Sequence, residues 1–329
     1  MKKAKCLALF SGGLDSMIAV RLMAEQGVEV LALHFDIGFG AKDDKSAILR
    51  ARANMAGGDF RVVDVRDRYL QDVLFSPKYG YGKHFNPCID CHGYMAKTAF
   101  AMMADEGADF IITGEVVGQR PMSQRVEAMN QVKKIADDQE GLILRPLCAK
   151  LLPPTRPEIL GLIDREKLLD ISGRGRTRQM ELALKFGFSD YESPAGGCLL
   201  TIDSFANKIK DAIAHEKIES ANDAQILKFG RHLRLNGGAK MIIGRNESEN
   251  LALRDLKNAK FDEILTGQIG AYCLIFHDAN SDDLTLAAHL ALAYSKAKFG
   301  EIYDVKIGEI SLKIRHNLDK SAAQEYFIN

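Results

Sequence analysis

The chain has 329 residues, of which 47% are hydrophobic and 27% are charged. This balance is typical of a globular protein and excludes a disordered, collagen-like or coiled-coil chain. The 44 basic residues equal the 44 acidic ones, so the chain lacks the overall positive charge of a non-specific nucleic-acid binder. No apolar run approaches the roughly 20 residues that span a bilayer. The apolar run at residues 6–10 is too short for a secretion signal, so we expect a cytoplasmic protein with no membrane partner.

The first half of the chain alternates between strand and helix patterns. Apolar runs predict strands at residues 4–10, 28–35, 61–65, 109–113 and 142–147. Helical spacing predicts helices at residues 16–25, 45–55, 93–106, 156–168 and 177–186. Such alternation indicates an α/β fold with a parallel, Rossmann-like sheet and right-handed crossovers.

The pattern changes near residues 193–197, which read Ser-Pro-Ala-Gly-Gly. Beyond them, helices are expected at residues 204–215, 223–229, 248–256 and 284–298, with Ser248 as a helix cap. Hairpins are expected at residues 231–243 and 302–314, and a further strand at 271–276. We therefore predict two domains: an α/β domain at residues 1–200 and a smaller α+β domain at 201–329.

A glycine turn joins the first predicted strand to the first helix. It reads Ser11-Gly12-Gly13-Leu14-Asp15-Ser16. Glycines let backbone N–H groups approach an anion closely, and the start of the helix adds unpaired N–H groups and a positive dipole end. The Asp15 carboxylate would repel a phosphate unless Mg²⁺ lies between them. The turn is neither a Walker A loop nor a dinucleotide fingerprint; the plainer alternative is a glycine-rich turn with an aspartate cap.

Three cysteines form a second candidate site. Cys88 and Cys91 make a C-x-x-C pair just before a predicted helix, and Cys198 follows two glycines. Three sulfurs could ligate three irons of a [4Fe–4S] cluster, or carry sulfur as a persulfide released through a disulfide. Structural zinc, with His92 as fourth ligand, is a third option. The other cysteines lie in apolar surroundings and are expected in the core: Cys6, Cys148 and Cys273.

Longer strings carry a family resemblance. The turn at residues 11–16 resembles the Ser-Gly-Gly-x-Asp-Ser signature of the PP-loop ATP pyrophosphatases. With the Asn-Pro-Cys segment at 86–91, the Thr-Gly-Glu string at 113–124 and Leu-Arg-Pro-Leu at 144–147, residues 5–200 resemble the catalytic domain of tRNA 4-thiouridine synthase. The Asn-Pro-Cys-x-x-Cys segment also resembles the tRNA 2-thiouridylases.

The resemblance implies an activity and a set of site residues. ATP would be split into AMP and pyrophosphate, with a uracil adenylate as intermediate and Mg²⁺ near Asp15. The residues implied in ATP binding are Ser11, Gly12, Gly13, Asp15, Ser16, His34, Phe35, Thr113, Gly114 and Gln119. The residues implied in catalysis are Asp15, Cys88, Cys91 and Cys198, of which the three cysteines are also the candidate metal ligands.

The second domain resembles a different module. Residues 241–246, Glu249-Asn250 and residues 294–297 are similar to the RNA-binding domain of NFACT proteins. Basic side chains alternate with apolar ones on the first hairpin and could form one basic face, at Arg231, Arg234, Lys240 and Arg245. A second basic cluster, suited to phosphate-backbone contact, lies at Arg174, Arg176 and Arg178.

Together these features predict an ATP-dependent tRNA-uridine sulfurtransferase. Its expected partners are tRNA and a sulfur donor, either sulfide or a persulfide carrier, and a homodimer is among the expected assemblies. One alternative is a PP-loop enzyme that uses ammonia to modify another acceptor and does not need the three thiols. The other is a non-catalytic RNA-binding protein that contains zinc.

Overall fold

The computed structural model describes residues 3–40, 44–192 and 198–328. The chain divides into two compact units, Met1–Cys198 and Leu199–Asn329. The domain boundary expected after residue 200 stays a prediction, and residues 193–197, where the sequence pattern changes, lie outside the described residues. In the parts of the chain that the structure describes, no helix has both the length and the apolar character to cross a membrane.

A parallel five-stranded sheet forms the centre of the first unit, as the sequence predicts. Its strands are β1 (Lys5–Leu9), β2 (Glu29–Asp36), β3 (Asp59–Asp64), β4 (Phe110–Thr113) and β5 (Ile143–Leu144). They lie in the order β3-β2-β1-β4-β5, and every pair is parallel. All four residues of β4 are buried, as expected for an inner strand covered on both faces.

Helices connect these strands. They are α1 (Leu14–Glu25), α2 (Ser46–Ala56), α3 (Arg66–Tyr69), α4 (Cys88–Glu106), α5 (Val126–Ala136), α6 (Arg156–Ile159) and α7 (Thr177–Phe186). The sequence did not predict α3 or α5. Helix α4 ends at Gly107, where a left-handed φ of 61° stops the helix as predicted.

Two helix boundaries predicted in the first unit are wrong by five residues or more. Helix α4 begins at Cys88 instead of residue 93, because the Asp90 carboxylate accepts the backbone N–H groups of Lys78 (2.6 Å) and Tyr79 (3.0 Å) and docks its first turn. The C-x-x-C pair therefore lies on the helix. The helix predicted at residues 156–168 stops at Ile159, because Gly161 adopts a left-handed φ of 72°.

The order of the strands places a crevice beside β1. The chain proceeds from β1 outward to β3 on one side, and β4 and β5 lie on the other. Ligands of open parallel sheets bind at such a reversal, beyond the carboxyl ends of the strands. Here Gly114, just after β4, packs against the start of α1. A Cβ atom on Gly114 would lie 2.6 Å from the Ser16 backbone nitrogen, so a glycine is needed to bring these two segments together.

The second unit contains a six-stranded antiparallel sheet. Its strands are β6 (Arg231–Arg234), β7 (Lys240–Ile243), β8 (Phe261–Leu265), β9 (Cys273–Phe276), β10 (Ile302–Ile307) and β11 (Ile310–Arg315), in the order β11-β10-β8-β9-β7-β6. Its helices are α8 (Asp203–His215), α9 (Ala221–Gln225), α10 (Glu247–Leu256) and α11 (Ser281–Ala293). The predicted Ser248 cap is wrong, because the Asn246 side chain accepts the Glu249 N–H at 3.0 Å.

A buried ion cluster ties the first hairpin of this unit to α8. Lys240 is fully buried and lies 3.2 Å from Asp211 and 3.5 Å from Glu216. Arg234 contacts the same two carboxylates at 2.6 Å each. The predicted basic face is therefore wrong at these two positions, because both cations are committed to carboxylates inside the unit.

The packing of Gly114 leads to a first prediction. Gly114→Ala places its Cβ atom against the backbone of α1, so we expect the variant to lose about 1–3 kcal/mol of stability. Gly175→Ala is the matched control, because its Cβ would meet nothing within 4 Å. Thermal unfolding of the full chain measures both. Equal melting temperatures for the two variants would contradict the close approach of β4 and α1.

The ion cluster leads to a second prediction. Lys240→Met leaves the two carboxylates with Arg234 and with His215, which lies 3.5 Å from Asp211 and is exposed, so the variant should lose about 3 kcal/mol at neutral pH. Desolvation raises the pKa of Asp211, but the Arg234 hydrogen bonds and the Lys240 charge hold it below its usual value. The stabilisation is thus present at neutral pH and lost as the pH falls through the depressed pKa of Asp211.

Denaturant unfolding at several pH values tests this prediction. The difference between Lys240→Met and the native chain should be largest near pH 7 and should shrink below about pH 4. The exposed Lys257→Met variant should match the native chain throughout. A deficit for Lys240→Met that persists unchanged at low pH would show that lost packing, and not lost charge pairing, is responsible.

Candidate functional site

A cavity of about 310 Å³ opens beyond the carboxyl ends of β1, β2 and β4. It lies at the reversal of strand order described above. Its wall includes nine of the ten residues implied in ATP binding, all except Gly12: Ser11, Gly13, Asp15, Ser16, His34, Phe35, Thr113, Gly114 and Gln119. Three separate segments of sequence, at residues 11–16, 34–35 and 113–119, therefore meet in one cavity.

The glycine turn between β1 and α1 has the shape that anion binding requires. Gly12 adopts a φ of 75°, and a Cβ there would lie 2.2 Å from the Leu49 Cδ2 atom. Gly13 is the N-cap of α1, and no side chain caps this helix start. The first N–H groups of α1 therefore lack helical partners beside the cavity, where they could bind an anion.

Two serines hold this turn in place. The Ser16 hydroxyl donates to the Gly13 carbonyl at 2.8 Å, and the Gly13 N–H donates to the Ser11 hydroxyl oxygen at 3.3 Å. The two hydroxyl oxygens lie 3.4 Å apart. The serines thus fix the conformation of the loop, in addition to any contact they make with a ligand.

Asp15 lies at the edge of the turn with one oxygen engaged and one available. Its Oδ2 atom accepts from Gln119 Nε2 at 2.6 Å and from Arg176 Nη2 at 3.2 Å. Its Oδ1 atom is buried and has no hydrogen-bond partner among the described residues. A hard cation such as Mg²⁺ is bound by one or two carboxylates together with substrate phosphates, so this free oxygen fits the predicted Mg²⁺.

His34 and Phe35, at the end of β2, form another part of the wall. The His34 Nδ1–H donates to the Phe10 carbonyl at 3.2 Å, which fixes the ring at the carboxyl end of the strand. Phe35 is buried. A flat apolar surface of this kind, next to a polar ring, suits an adenine or ribose, as the family resemblance implies.

Glu115 organises a buried polar cluster that the sequence reasoning missed. Its carboxylate contacts Arg145 Nε at 2.8 Å, His92 Nδ1 at 2.9 Å and the Thr113 hydroxyl at 3.1 Å. Desolvation raises the pKa of Glu115, but the charges of Arg145 and His92 outweigh it and lower the pKa to about 2. Glu115 is therefore a fixed anion that orients His92 in the wall.

A signal for this cluster was present in the sequence. Glu115 belongs to the Thr-Gly-Glu string and Arg145 to the Leu-Arg-Pro-Leu string. Both charged residues follow or end an apolar strand, where an unpaired charge would be costly to bury. The two strings therefore indicated that each charge needs a partner, but not which residue supplies it.

The three candidate cysteines gather around Tyr69; none of them lines the cavity described above, although Cys91 directly precedes His92, which does. Tyr69 is fully buried and hydrogen-bonds to the Cys91 sulfur, and both Cys88 and Cys198 act electrostatically on Tyr69 and Cys91. Desolvation raises the pKa of Cys91 to about 12, although the hydrogen bond with Tyr69 opposes the shift. Cys88 accepts a hydrogen bond from Asn86 Nδ2 at 3.1 Å.

The cysteines do not form a metal site in the arrangement that the structure shows. Within residues 3–40, 44–192 and 198–328, no group of three or more His, Cys, Asp or Glu side chains could hold a metal ion. His92, the fourth ligand of the zinc alternative, is engaged by Glu115. The metal role of Cys88, Cys91 and Cys198 stays a prediction. Cys6, Cys148 and Cys273 are buried, as predicted.

The segment that leads toward Cys198 is fastened to the glycine turn. Glu192 forms a parallel bridge with Gly13 and accepts a salt bridge from Lys45 at 2.6 Å. Arg52 contacts both Asp190 Oδ1 (3.0 Å) and the Gly12 carbonyl (3.4 Å). The glycines at 196–197 lie outside the described residues. The glycine turn and the segment at residues 190–192 are therefore both held by side chains at or next to α2.

The basic cluster near residue 175 is divided among different partners. Arg176 lines the cavity and contacts Asp15. Arg178 pairs with Asp170, and Arg174 is exposed. Arg176 therefore faces the candidate nucleotide site, a position that sequence reasoning did not assign to it.

Two family models match separate parts of the chain. Residues 2–150 match the family described as thiamine biosynthesis protein (ThiI). Residues 230–327 match the NFACT protein RNA binding domain. The first match contains the glycine turn, the C-x-x-C pair and Glu115, and the second contains β6 to β11.

Curated relatives match the first part. A probable tRNA sulfurtransferase of Thermococcus kodakarensis is 30% identical over 171 residues, 52% of this chain and 40% of that protein. A tRNA-specific 2-thiouridylase MnmA of Mycobacteroides abscessus is 35% identical over 128 residues, 33% of this chain and 35% of that protein. The chain thus spans well under half the length of these relatives.

A solved structure of a 4-thiouridine synthetase–RNA complex with bound ATP shares 18% identity and a TM-score of 0.42, covering 68% of this chain and 53% of that one. The family resemblance predicted from the motifs is confirmed by the two family models: the chain is similar to ThiI at residues 2–150 and to the NFACT RNA-binding domain at residues 230–327.

Proposed function

We propose that the chain is an ATP-dependent tRNA-uridine sulfurtransferase that releases AMP and pyrophosphate. The observation that carries the proposal is the cavity in which the uncapped start of α1 meets Asp15 and Gln119. The match to ThiI and the name of the Thermococcus relative support the choice of reaction. The match to an RNA-binding domain supports tRNA as the substrate.

ATP would lie with its outer phosphates on residues 11–16 and its adenosine toward His34 and Phe35. The helix start offers N–H donors and a partial positive charge to the phosphates. Asp15, through its free Oδ1 atom, would hold Mg²⁺, which supplies positive charge to offset the pyrophosphate leaving group. Gln119 donates a hydrogen bond to Oδ2, the other oxygen of the same carboxylate. This bond leaves Oδ1 available for the cation.

The first chemical step activates the base. A uracil carbonyl oxygen forms a bond to the α-phosphorus, and the bond from that phosphorus to the β-phosphate oxygen breaks. Pyrophosphate leaves, the ring N–H proton is released, and the base carries AMP on its former carbonyl oxygen. Such activation is necessary because an unmodified uracil oxygen is a poor leaving group. The uridine must be unpaired or extruded to reach the cavity.

The second step replaces oxygen with sulfur. A persulfide on one cysteine forms a bond from its outer sulfur to the activated carbon, and the carbon–oxygen bond breaks with AMP as leaving group. A second thiolate then attacks the inner sulfur, which releases the thiolated base and leaves a disulfide for an external thiol to reduce. Cys91 and Cys198, together at Tyr69, are the proposed pair, with Cys88 beside them.

The remaining parts of the proposal concern partners and location. The persulfide would be loaded from a persulfide carrier, whose own thiol is released, or by sulfide, which attacks the cysteine disulfide left by the previous turnover and forms one persulfide and one thiolate. The enzyme would act in the cytoplasm, and a homodimer is a further proposal. No step is assigned to an iron–sulfur cluster or to zinc, because the described side chains do not form a metal-binding group.

A reaction with unmodified tRNA tests this function. With ATP, Mg²⁺ and a persulfide donor, the full chain should form thiouridine, detected by nucleoside mass spectrometry, and release one pyrophosphate per turnover. In Cys91→Ser and Cys198→Ser, we expect thiouridine formation to be lost while pyrophosphate release persists, because these thiols act after activation. Cys273→Ala, in the core of the other unit, is the control and should retain both.

Other results would favour the alternatives. Full turnover by both cysteine variants, with ammonia as co-substrate, would indicate an amidating PP-loop enzyme. Absence of pyrophosphate release with any RNA, combined with zinc in the purified protein, would indicate a non-catalytic RNA-binding protein. Formation of ADP instead of AMP would contradict the proposed chemistry directly.

A further inference from the structure

Arg176 reaches the cavity from a segment far from the glycine turn in sequence. This segment, just before α7, is pinned to the chain beyond β4. The Gly173 N–H donates to the Val117 carbonyl at 2.8 Å, and Val117 forms a parallel bridge with Ser172. The two segments are also in contact at Gly118, where a Cβ atom would lie at van der Waals distance, 3.5 Å, from the Gly173 nitrogen. The anchoring places the Arg176 side chain in the cavity wall.

The Arg176 guanidinium is only partly satisfied there. Its Nη2 atom donates to Asp15 Oδ2 at 3.2 Å, an oxygen that already accepts the shorter bond from Gln119. Its Nε atom is buried and has no hydrogen-bond partner among the described residues. A buried guanidinium N–H without a partner is costly, which points to a further acceptor at this place.

The charges of the cavity wall also leave Arg176 as a group that can bind an anion. The Glu115 carboxylate is matched by Arg145 and His92, and Glu192 is matched by Lys45 and Arg52. Those cations are already paired with carboxylates. A nucleotide triphosphate brings several negative charges to the glycine turn, where the helix start supplies only about half a positive charge and the other arginine of the wall, Arg120, is exposed. Arg176 also pairs with Asp15 at that turn, but it lines the cavity and its Nε donor has no partner among the described residues.

We propose that Arg176 binds the outer phosphates of the nucleotide, and that Asp15 and Gln119 position it for this contact. The proposal rests on the proposed function in one respect, namely that the cavity binds ATP. A guanidinium presents a planar set of donors that matches two phosphate oxygens at once. Arg176 is thus a phosphate ligand of the nucleotide site, in place of the tRNA-backbone contact predicted from its position in a basic cluster.

Binding measurements on the full chain separate this role from the rest of the activity. Isothermal titration with ATP, inorganic pyrophosphate and AMP, in EDTA, measures phosphate contacts without Mg²⁺ or tRNA. Arg176→Gln should weaken ATP and pyrophosphate about 10- to 100-fold, since it removes a charge-assisted contact. AMP, which lacks the outer phosphates, should change by less than about threefold.

Two further variants make the comparison specific. Arg21→Gln removes a positive charge from an exposed ion pair with Glu25 on the same helix α1, and it should leave all three affinities unchanged. Arg176→Lys keeps the charge but loses the planar set of donors, so its affinities should fall between those of Arg176→Gln and the native chain. It also serves if Arg176→Gln fails to fold, which circular dichroism checks.

A remaining possibility is that Arg176 only neutralises Asp15, whose bare carboxylate would repel phosphate. The Asp15→Asn background tests this. If Arg176→Gln still weakens pyrophosphate binding at least about tenfold there, the contact is direct. If it has no effect in that background, or if ATP and AMP weaken equally, the proposal is overturned. If the native chain binds neither ATP nor pyrophosphate, the nucleotide site itself fails and the proposed function fails with it.

Discussion

The structure of the candidate site depends on the contact between the end of β4 and the start of α1. Gly114 lies against the Ser16 backbone where any side chain would collide, and this contact fixes the helix start at the reversal of strand order. The first N–H groups of α1 lack partners beside the cavity, because no side chain caps this helix start. A helix start left uncapped inside a wall of fixed side chains is suited to an anion, and the rest of the wall is arranged around that point.

Pairing of charges is the second constraint. Three carboxylates, those of Asp15, Glu115 and Glu192, lie in a cavity that we propose receives a polyanion. Each carboxylate pairs with a cation from a different part of the fold. These cations are Arg176, just before α7, Arg145, just after β5, and Lys45, just before α2. The cavity is therefore not strongly anionic, and its carboxylates orient neighbouring groups. Glu115 fixes His92, Asp15 holds Arg176, and Glu192 joins the chain toward Cys198 to the turn.

Local patterns in the sequence predicted the features that depend on neighbouring residues. The glycine turn, the parallel strands and the stop at Gly107 follow from residue order alone, and the structure has them. Contacts between distant segments were not predictable in this way. The Glu115–Arg145 pair and the Arg176–Asp15 pair each join residues 30 or more positions apart. The sequence predicted Lys240 on a basic strand face, but the side chain is buried and paired with two acidic residues of neighbouring segments.

The most direct test of the account is a crystal structure of the full chain with Mg²⁺ and α,β-methylene-ATP, which cannot be cleaved at the α–β position. The account predicts electron density for the two outer phosphates against the N–H groups of residues 13–16, with a cation at Asp15 Oδ1 and the adenine next to Phe35. Outer phosphates bound elsewhere in the cavity, or a nucleotide reversed so that its base occupies the glycine turn, would contradict it.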